Sequence, residues 1–212
     1  MNAAPRDYTA LRKECSPAVI SVISPTLNDE RRLVPTLAAL VAGAADGLIV
    51  EAVVADGGSE DGTEAVADVA GCRFVQGPAD VGARLSAAAA GTKAPWLMFV
   101  RPGVVLDEGW IREVRGFLDQ VSRRGEADRR AAVFALGIDD YGLAAKARLA
   151  RARLGFLFGR GAEPDQGLLL SRNHYRDLGG HGPGAKAEKA LTRRLGPRRS
   201  VTLRCRATQI AR

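Results

Sequence analysis

Between Leu48 and Val69 an apolar run ends on a lone acid and turns at once into a helical pattern. This junction restricts what the chain can fold into more than any other stretch. Leu48, Ile49, Val50, Ala52, Val53 and Val54 lead to Asp56. Gly57 and Gly58 follow, then Ser59-Glu60-Asp61-Gly62-Thr63 and the helical Glu64–Val69. A short, nearly unbroken apolar run bounded by turn residues reads as a strand buried on both faces, as in a parallel sheet. The two glycines can take backbone angles closed to other residues, and Ser59 or Asp61 has the side chain to cap the helix. Asp56 is thereby expected at the carboxyl end of a strand, where open α/β sheets bind ligands.

The rest of the first hundred residues repeats this alternation. Ala18–Ser24 is β-branched and apolar and reads as the first strand, stopped by Pro25. After the loop Pro25-Thr26-Leu27-Asn28-Asp29-Glu30, Asn28 or Asp29 is placed to cap a helix with the stripe Leu33, Leu37, Leu40 and Val41. Cys72–Val75 is a short third strand, Val81–Ala90 an alanine-rich helix, and Trp96–Val100 a fourth strand broken by Arg101-Pro102-Gly103. Strand alternating with helix predicts an α/β domain: a mostly parallel central sheet flanked by helices, with right-handed crossovers. A helix from about Glu108 to Val121 and a strand at Ala131–Leu136 follow. Tyr141–Phe158 reads as a cationic amphipathic helix, Gly167–Leu170 as apolar strand, Gly179–Gly184 as a flexible loop, Ala185–Leu195 as helix and Val201–Leu203 as a last strand. His174 and His181 are solitary and are expected on surface or loop.

With 212 residues, 46% of them hydrophobic, the chain suffices for one globular domain. Residues 1–17 are expected as an N-terminal extension and 18–212 as the domain, with a nucleotide-binding half over 18–105 and a basic, acceptor-side half over 106–212. Cys15, Cys72 and Cys205 are odd in number and widely spaced, which argues against a disulfide framework or zinc site and points to a reducing, cytoplasmic setting. No stretch has the ~18 uninterrupted apolar residues of a spanning helix. Charge is uneven: Lys146–Arg212 holds 16 Lys and Arg against 4 Asp and Glu, and the remainder 15 against 20. A basic half of this kind fits an anionic partner such as a nucleotide or phospholipid. The helix Tyr141–Phe158 is suited to peripheral contact with an anionic bilayer, on the inner membrane face, bringing a lipid-linked acceptor to the site. A nucleic-acid partner is disfavoured, because aromatics are 5% of the chain and no base-stacking motif is present.

The loop Pro25–Glu30 followed at this distance by Asp56-Gly57-Gly58-Ser59-Glu60-Asp61-Gly62-Thr63 resembles the start of a family 2 glycosyltransferase with the glycosyltransferase-A fold. The likeness continues through Gly82-Ala83-Arg84, Phe99–Trp110, Asp165-Gln166-Gly167-Leu168, Gly179-Gly180 and Leu191–Leu195. It is closest to the small, soluble bacterial branch. The resemblance implies a nucleotide-sugar donor, a UDP-sugar above all, and inverting transfer to an acceptor hydroxyl. It gives Asp56 the uracil of the donor, with Pro25, Thr26, Asn28, Glu30 and Gly58 in the same nucleotide crevice. A carboxylate can accept the imide N–H of uracil. Arg84 and Arg101 are assigned to the diphosphate, since guanidinium suits phosphate oxygens.

Two positions depart from the family pattern. Gly103 stands where the resemblance implies an acid holding Mg²⁺ or Mn²⁺, so no metal ligand is assigned, although Asp107 and Glu108 follow shortly after. Where the family has an acidic pair containing the general base, this chain has Ala187 and Glu188, and Glu188 is the candidate base. Two readings stay open: a glycosyltransferase that uses Arg101 and Arg84 in place of a metal, and a catalytically impaired relative that serves as a nucleotide- or partner-binding module.

Overall fold

The computed structural model describes residues 19–138, 150, 154–155, 159 and 161–210. The expected extension over 1–17 and, apart from residues 150 and 154–155, the cationic segment Tyr141–Phe158 lie outside the described residues.

Strand β1 (Ile20–Thr26) leads into α1 (Glu30–Ala45), β2 (Ile49–Asp56), α2 (Thr63–Val69), β3 (Arg73–Gln76), α3 (Val81–Ala90) and β4 (Trp96–Phe99). Then come β5 (Val104–Leu106), α4 (Trp110–Arg123), β6 (Ala131–Ile138), a 3-10 turn (Pro164–Gln166), β7 (Leu168–Ser171), α5 (Arg172–Asp177), α6 (Ala187–Leu195) and β8 (Ser200–Gln209). Among the described residues the eight strands form one sheet in the order β3-β2-β1-β4-β7-β6-β8-β5. β1 to β4 pair in parallel, while β7 runs antiparallel to both β4 and β6, and β5 antiparallel to β8. The chain therefore builds outward from β1 through β2 to β3, then returns to lay β4 on the other side of β1. That reversal is the switch point at which open α/β sheets have a crevice beyond their carboxyl ends.

Both faces of the sheet are apolar, which is why its strands read as continuous runs. Ile20, Val22, Val54, Trp96 and Met98 face one core with Leu33, Leu37 and Leu40 of α1 and Trp110, Val114 and Phe117 of α4. Ile23, Val53, Ala55, Leu97 and Phe99 face the other with Leu85 and Ala88 of α3 and Leu191 of α6. The period of two along each strand sends neighbours to opposite cores. Truncating a fully buried member such as Leu97 to Ala would cost about 2–5 kcal/mol in lost transfer energy and cavity.

Several details differ from the sequence expectations. Pro25 does not stop β1, which pairs with β2 as far as Thr26. The pairing with β4 ends at Ile23, so Pro25 has a neighbour on one side only, where a missing N–H is tolerated. Val41 lies outside the α1 stripe and is exposed. The segment Gly179–Gly184 is anchored: Gly184 donates its N–H to Asp80 at 2.6 Å, and His181 is buried against Phe99 and Tyr175. His174 is buried too, so neither histidine sits on the surface. Among the described residues, no helix is long and apolar enough to cross a membrane.

Candidate functional site

Two loops leave the carboxyl ends of β1 and β2 and are stitched to each other. Asn28, at φ 55° in a region that Asn tolerates better than most residues, accepts the Glu60 N–H on its side-chain oxygen at 2.8 Å. Its own N–H donates to Ser59 Oγ at 2.8 Å. The Gly62 N–H donates to Glu30 Oε2 at 3.1 Å, and the Glu30 N–H to Asp61 Oδ2 at the same distance. Asp61 also accepts from the Thr63 N–H at the start of α2, whereas Ser59 does not act as the cap. The acids and hydroxyls clustered here tie the rim of the crevice together.

Inside that rim, Asp56 is 1% exposed. Its Oδ1 accepts from Thr26 Oγ1 at 2.8 Å and Ser59 Oγ at 2.5 Å. Its Oδ2 accepts from the backbone N–H of Gly58 at 2.8 Å and of Ser59 at 2.7 Å. Burial works to raise the carboxyl's pKa, but the hydrogen bonds from Ser59, Thr26 and Gly58 outweigh it and hold the pKa below the ordinary aspartate value. Asp56 is thus an ionised, buried carboxylate with all four acceptor positions in use. Gly58 carries φ 100°, which turns the chain back so that the following N–H, of Ser59, also meets that carboxylate.

Arg84 reaches from α3 to the same place. Its guanidinium lies against Gly57 so closely that a Cβ there would collide with it. It donates to the carbonyl oxygens of Pro78 at 2.8 Å and Ala79 at 3.2 Å. Burial lowers its pKa, opposed by the charges of Asp56, Asp80 and Asp29.

Arg101 follows β4 and meets Glu188 on α6, 87 residues later. Arg101 Nε lies 3.0 Å from Glu188 Oε1 and 2.8 Å from Oε2, and Nη2 also donates to Oε2. Burial presses the Arg101 pKa down, and the Glu188 hydrogen bonds, with the charges of Glu188, Asp165 and Asp29, carry it above its ordinary value. Glu188 is 8% exposed. The structure therefore brings the candidate base and one candidate diphosphate cation into direct contact, a pairing with no trace in local sequence.

At the turn Arg101–Gly103, glycine stands where the family resemblance implies a metal-holding acid. Gly103 has φ 86°, donates its N–H to the Arg32 carbonyl at 2.8 Å and to Thr36 Oγ1 at 2.9 Å, and accepts the Ile210 N–H at 2.9 Å. A Cβ at Gly103 would lie 2.9 Å from Arg32 Nε. Asp107 is turned to Arg206 at 3.2 Å, and Asp29 holds Arg32 Nη1 at 3.0 Å. Among the described residues, no three His, Cys, Asp or Glu side chains converge as a metal would require. A hard divalent ion needs oxygen ligands, and a guanidinium occupies the place of the expected one. Among the described residues, the side chains around Gly103 do not fit a resident Mg²⁺ or Mn²⁺.

Local sequence had not singled out Arg32 or Gln209. With the Gln209 amide oriented by its partners, its nitrogen donates to Asp165 Oδ2 at 2.7 Å and its oxygen accepts from Arg32 Nη2 at 3.1 Å. Arg32 and Gly103 line a cavity of about 570 Å³ with Asn28, Asp29, Glu30 and Asp61. Of the nucleotide residues expected from sequence, Asn28 and Glu30 line it, and Thr26 and Asp56 lie deeper beneath the loops.

Comparison with known proteins bears on this arrangement. Solved structures of glucosyl-3-phosphoglycerate synthase from Mycobacterium tuberculosis share the fold. The complex with phosphoglyceric acid superposes with a TM-score of 0.63 at 24% identity, covering 92% of this chain and 73% of that one. The complex with Mn²⁺, UDP and glucosyl-3-phosphoglycerate gives 0.62, 24%, 92% and 73%. The complex with Mn²⁺ and UDP-glucose gives 0.61, 23%, 92% and 72%. A search of curated protein sequences finds no match. The sequence model of glycosyl transferase family 2 matches residues 21–135, from β1 through the cleft to β6, and the chain belongs to that family.

Proposed function

We propose that the protein transfers a sugar from a nucleotide-sugar, a UDP-sugar in the first instance, to an acceptor hydroxyl with inversion at the anomeric carbon. The observation that carries this reading is the convergence at the switch point. Thr26, Asp56 and Arg101 stand at or just past the carboxyl ends of β1, β2 and β4, and the Arg84 guanidinium lies against Gly57 beside them. The structurally similar synthase was crystallised with UDP and UDP-glucose, which supports the same donor class here.

In this reading Asp56 accepts the imide N–H of the base, with Ser59 Oγ swinging aside to free an Oδ1 lone pair. Pro25, Thr26, Asn28, Glu30 and Gly58 shape the pocket around it. Arg84 and Arg101 face the diphosphate. The acceptor oxygen bonds to the anomeric carbon as the bond to the diphosphate oxygen breaks. The hydroxyl proton passes to Glu188, and the leaving diphosphate takes the bonding pair. Glu188 is clasped by Arg101. Diphosphate competing for Arg101 would release the carboxylate, coupling donor arrival to activation of the base.

A second reading is a nucleotide-binding module without turnover. It is favoured by the same clasp and by the full occupancy of the Asp56 acceptors. Thermal stabilisation by a panel of UDP-, GDP- and dTDP-sugars, run beside a donor-hydrolysis assay, separates the two. Selective stabilisation by UDP-sugars with turnover supports the transferase, stabilisation without turnover selects the module, and no stabilisation by any of them removes both.

A further inference from the structure

The misfit between the cleft and a divalent ion has a consequence for the diphosphate. The geometry points to Arg32 as the residue that takes the metal's place: its guanidinium binds the donor diphosphate directly. This rests on the nucleotide-sugar reading above.

Four observations converge on Arg32. Its Nε lies 2.9 Å from where a Gly103 Cβ would stand, so its charge occupies the space into which an acid at that position would project. That Nε is shielded from solvent and has no hydrogen-bond partner among the described residues. A buried, unsatisfied donor of this kind costs free energy unless a ligand completes it. Of the four N–H groups on Nη1 and Nη2, one is directed to Asp29 and one to Gln209, leaving two for phosphate oxygens. Finally, Arg32 lines the cavity of about 570 Å³ bordered by the loops after β1 and β2.

Of the acids lining that cavity, Asp29 alone is paired with this charge. Glu30 accepts the Gly62 N–H, and Asp61 accepts from Thr63 and Glu30, so both face the loop backbone. Asp29 is bound to Arg32 itself and accepts the Leu27 N–H. A fixed cation already held by Asp29 and Gln209 loses little freedom on meeting phosphate, which is the advantage of a preorganised site.

The test is calorimetric titration of uridine and of UDP into the wild-type protein, Arg32→Ala and Arg32→Lys, in EDTA and again with Mn²⁺. The account expects wild-type UDP affinity to be the same in both media. Arg32→Ala should bind UDP about 10- to 100-fold more weakly, as expected for one charge-assisted contact, while its uridine affinity stays within about twofold. Arg32→Lys should recover part of the loss. A purely structural role would weaken uridine and UDP together, and that result overturns the proposal. So does UDP binding by Arg32→Ala equal to wild type, or wild-type binding that requires Mn²⁺. Failure of the wild-type protein to bind UDP at all overturns the nucleotide-sugar reading and this inference with it.

Discussion

Asp56→Asn and Asp56→Ala should part company in stability, and the structure says by how much. In Asp56→Asn the amide oxygen can sit at the Oδ2 position and keep accepting the Gly58 and Ser59 N–H groups. The amide nitrogen then sits at Oδ1 and donates to Thr26 and Ser59, whose hydroxyls can rotate to accept. All four contacts survive and only the charge is lost, so the cost should be under about 1 kcal/mol. Asp56→Ala strips the acceptor from two backbone donors and two hydroxyls at once. Water can reach Gly58 and, in part, Ser59, which holds each loss to the low end of the usual range. The sum is on the order of 2–4 kcal/mol, or a fall in Tm of roughly 5–15 °C for a chain of this size. Thermal unfolding followed by far-UV circular dichroism at pH 7.5 reads both variants. Equal destabilisation would mean that the negative charge, rather than the four hydrogen bonds, holds the loop, and would refute this reasoning.

Three further outcomes follow from the same geometry. Glu188→Gln should lower transfer by at least about 100-fold while binding UDP no more weakly than wild type, because it removes the proton acceptor and also the carboxylate that competes with diphosphate for Arg101; steady-state kinetics beside calorimetry would show it. Joining Arg32→Ala to Gly103→Asp clears the guanidinium and supplies the oxygen ligand, so UDP binding should become Mn²⁺-dependent. This variant starts with a penalty of about 1–2 kcal/mol for a side chain at φ 86°. Burial, with the nearby charge of Arg194, pushes the His181 pKa down to about 4. Below its unfolded value near 6.5 the unfolded chain binds a proton that the folded one refuses, so stability should fall as pH drops from about 6.5 toward 4 and level off below. Unfolding free energies from urea titrations at pH 7.5 and 5.0 should differ by about 2 kcal/mol from this group, and His181→Phe should remove that difference.

β1, β2 and β4 were legible as apolar runs followed by turns, and β1 to β4 fall within two residues of their expected ends. Helix α3 was legible for a similar reason, as an alanine-rich run between Pro78 and Gly91. What escaped was shorter or non-local. β5 is only Val104–Leu106, too brief for any periodicity, and exists because β8 runs alongside it. β8 itself extends to Gln209 through Arg204 and Arg206, exposed residues in the part of the strand that β5 does not cover. Helix α5 is six residues begun by a Ser171 cap, and it reads as loop until the cap is seen. In the site, the stretch around Asp56 announced itself, since strand, acid, glycine and helix are adjacent. The Arg101–Glu188 clasp and the Arg32–Gly103 contact did not, for each depends on strands and helices brought together by the order of the sheet.

The central claim is that the Asp56 carboxylate recognises a nucleotide base at the carboxyl end of β2. Its most direct test is calorimetric titration of UDP into wild-type protein and into Asp56→Asn, the variant expected to keep its fold. The account predicts binding by wild type and affinity about 10- to 100-fold weaker in Asp56→Asn, the loss of one charge-assisted hydrogen bond to the base. Equal affinity in the two proteins, or no heat from the wild type, would contradict it.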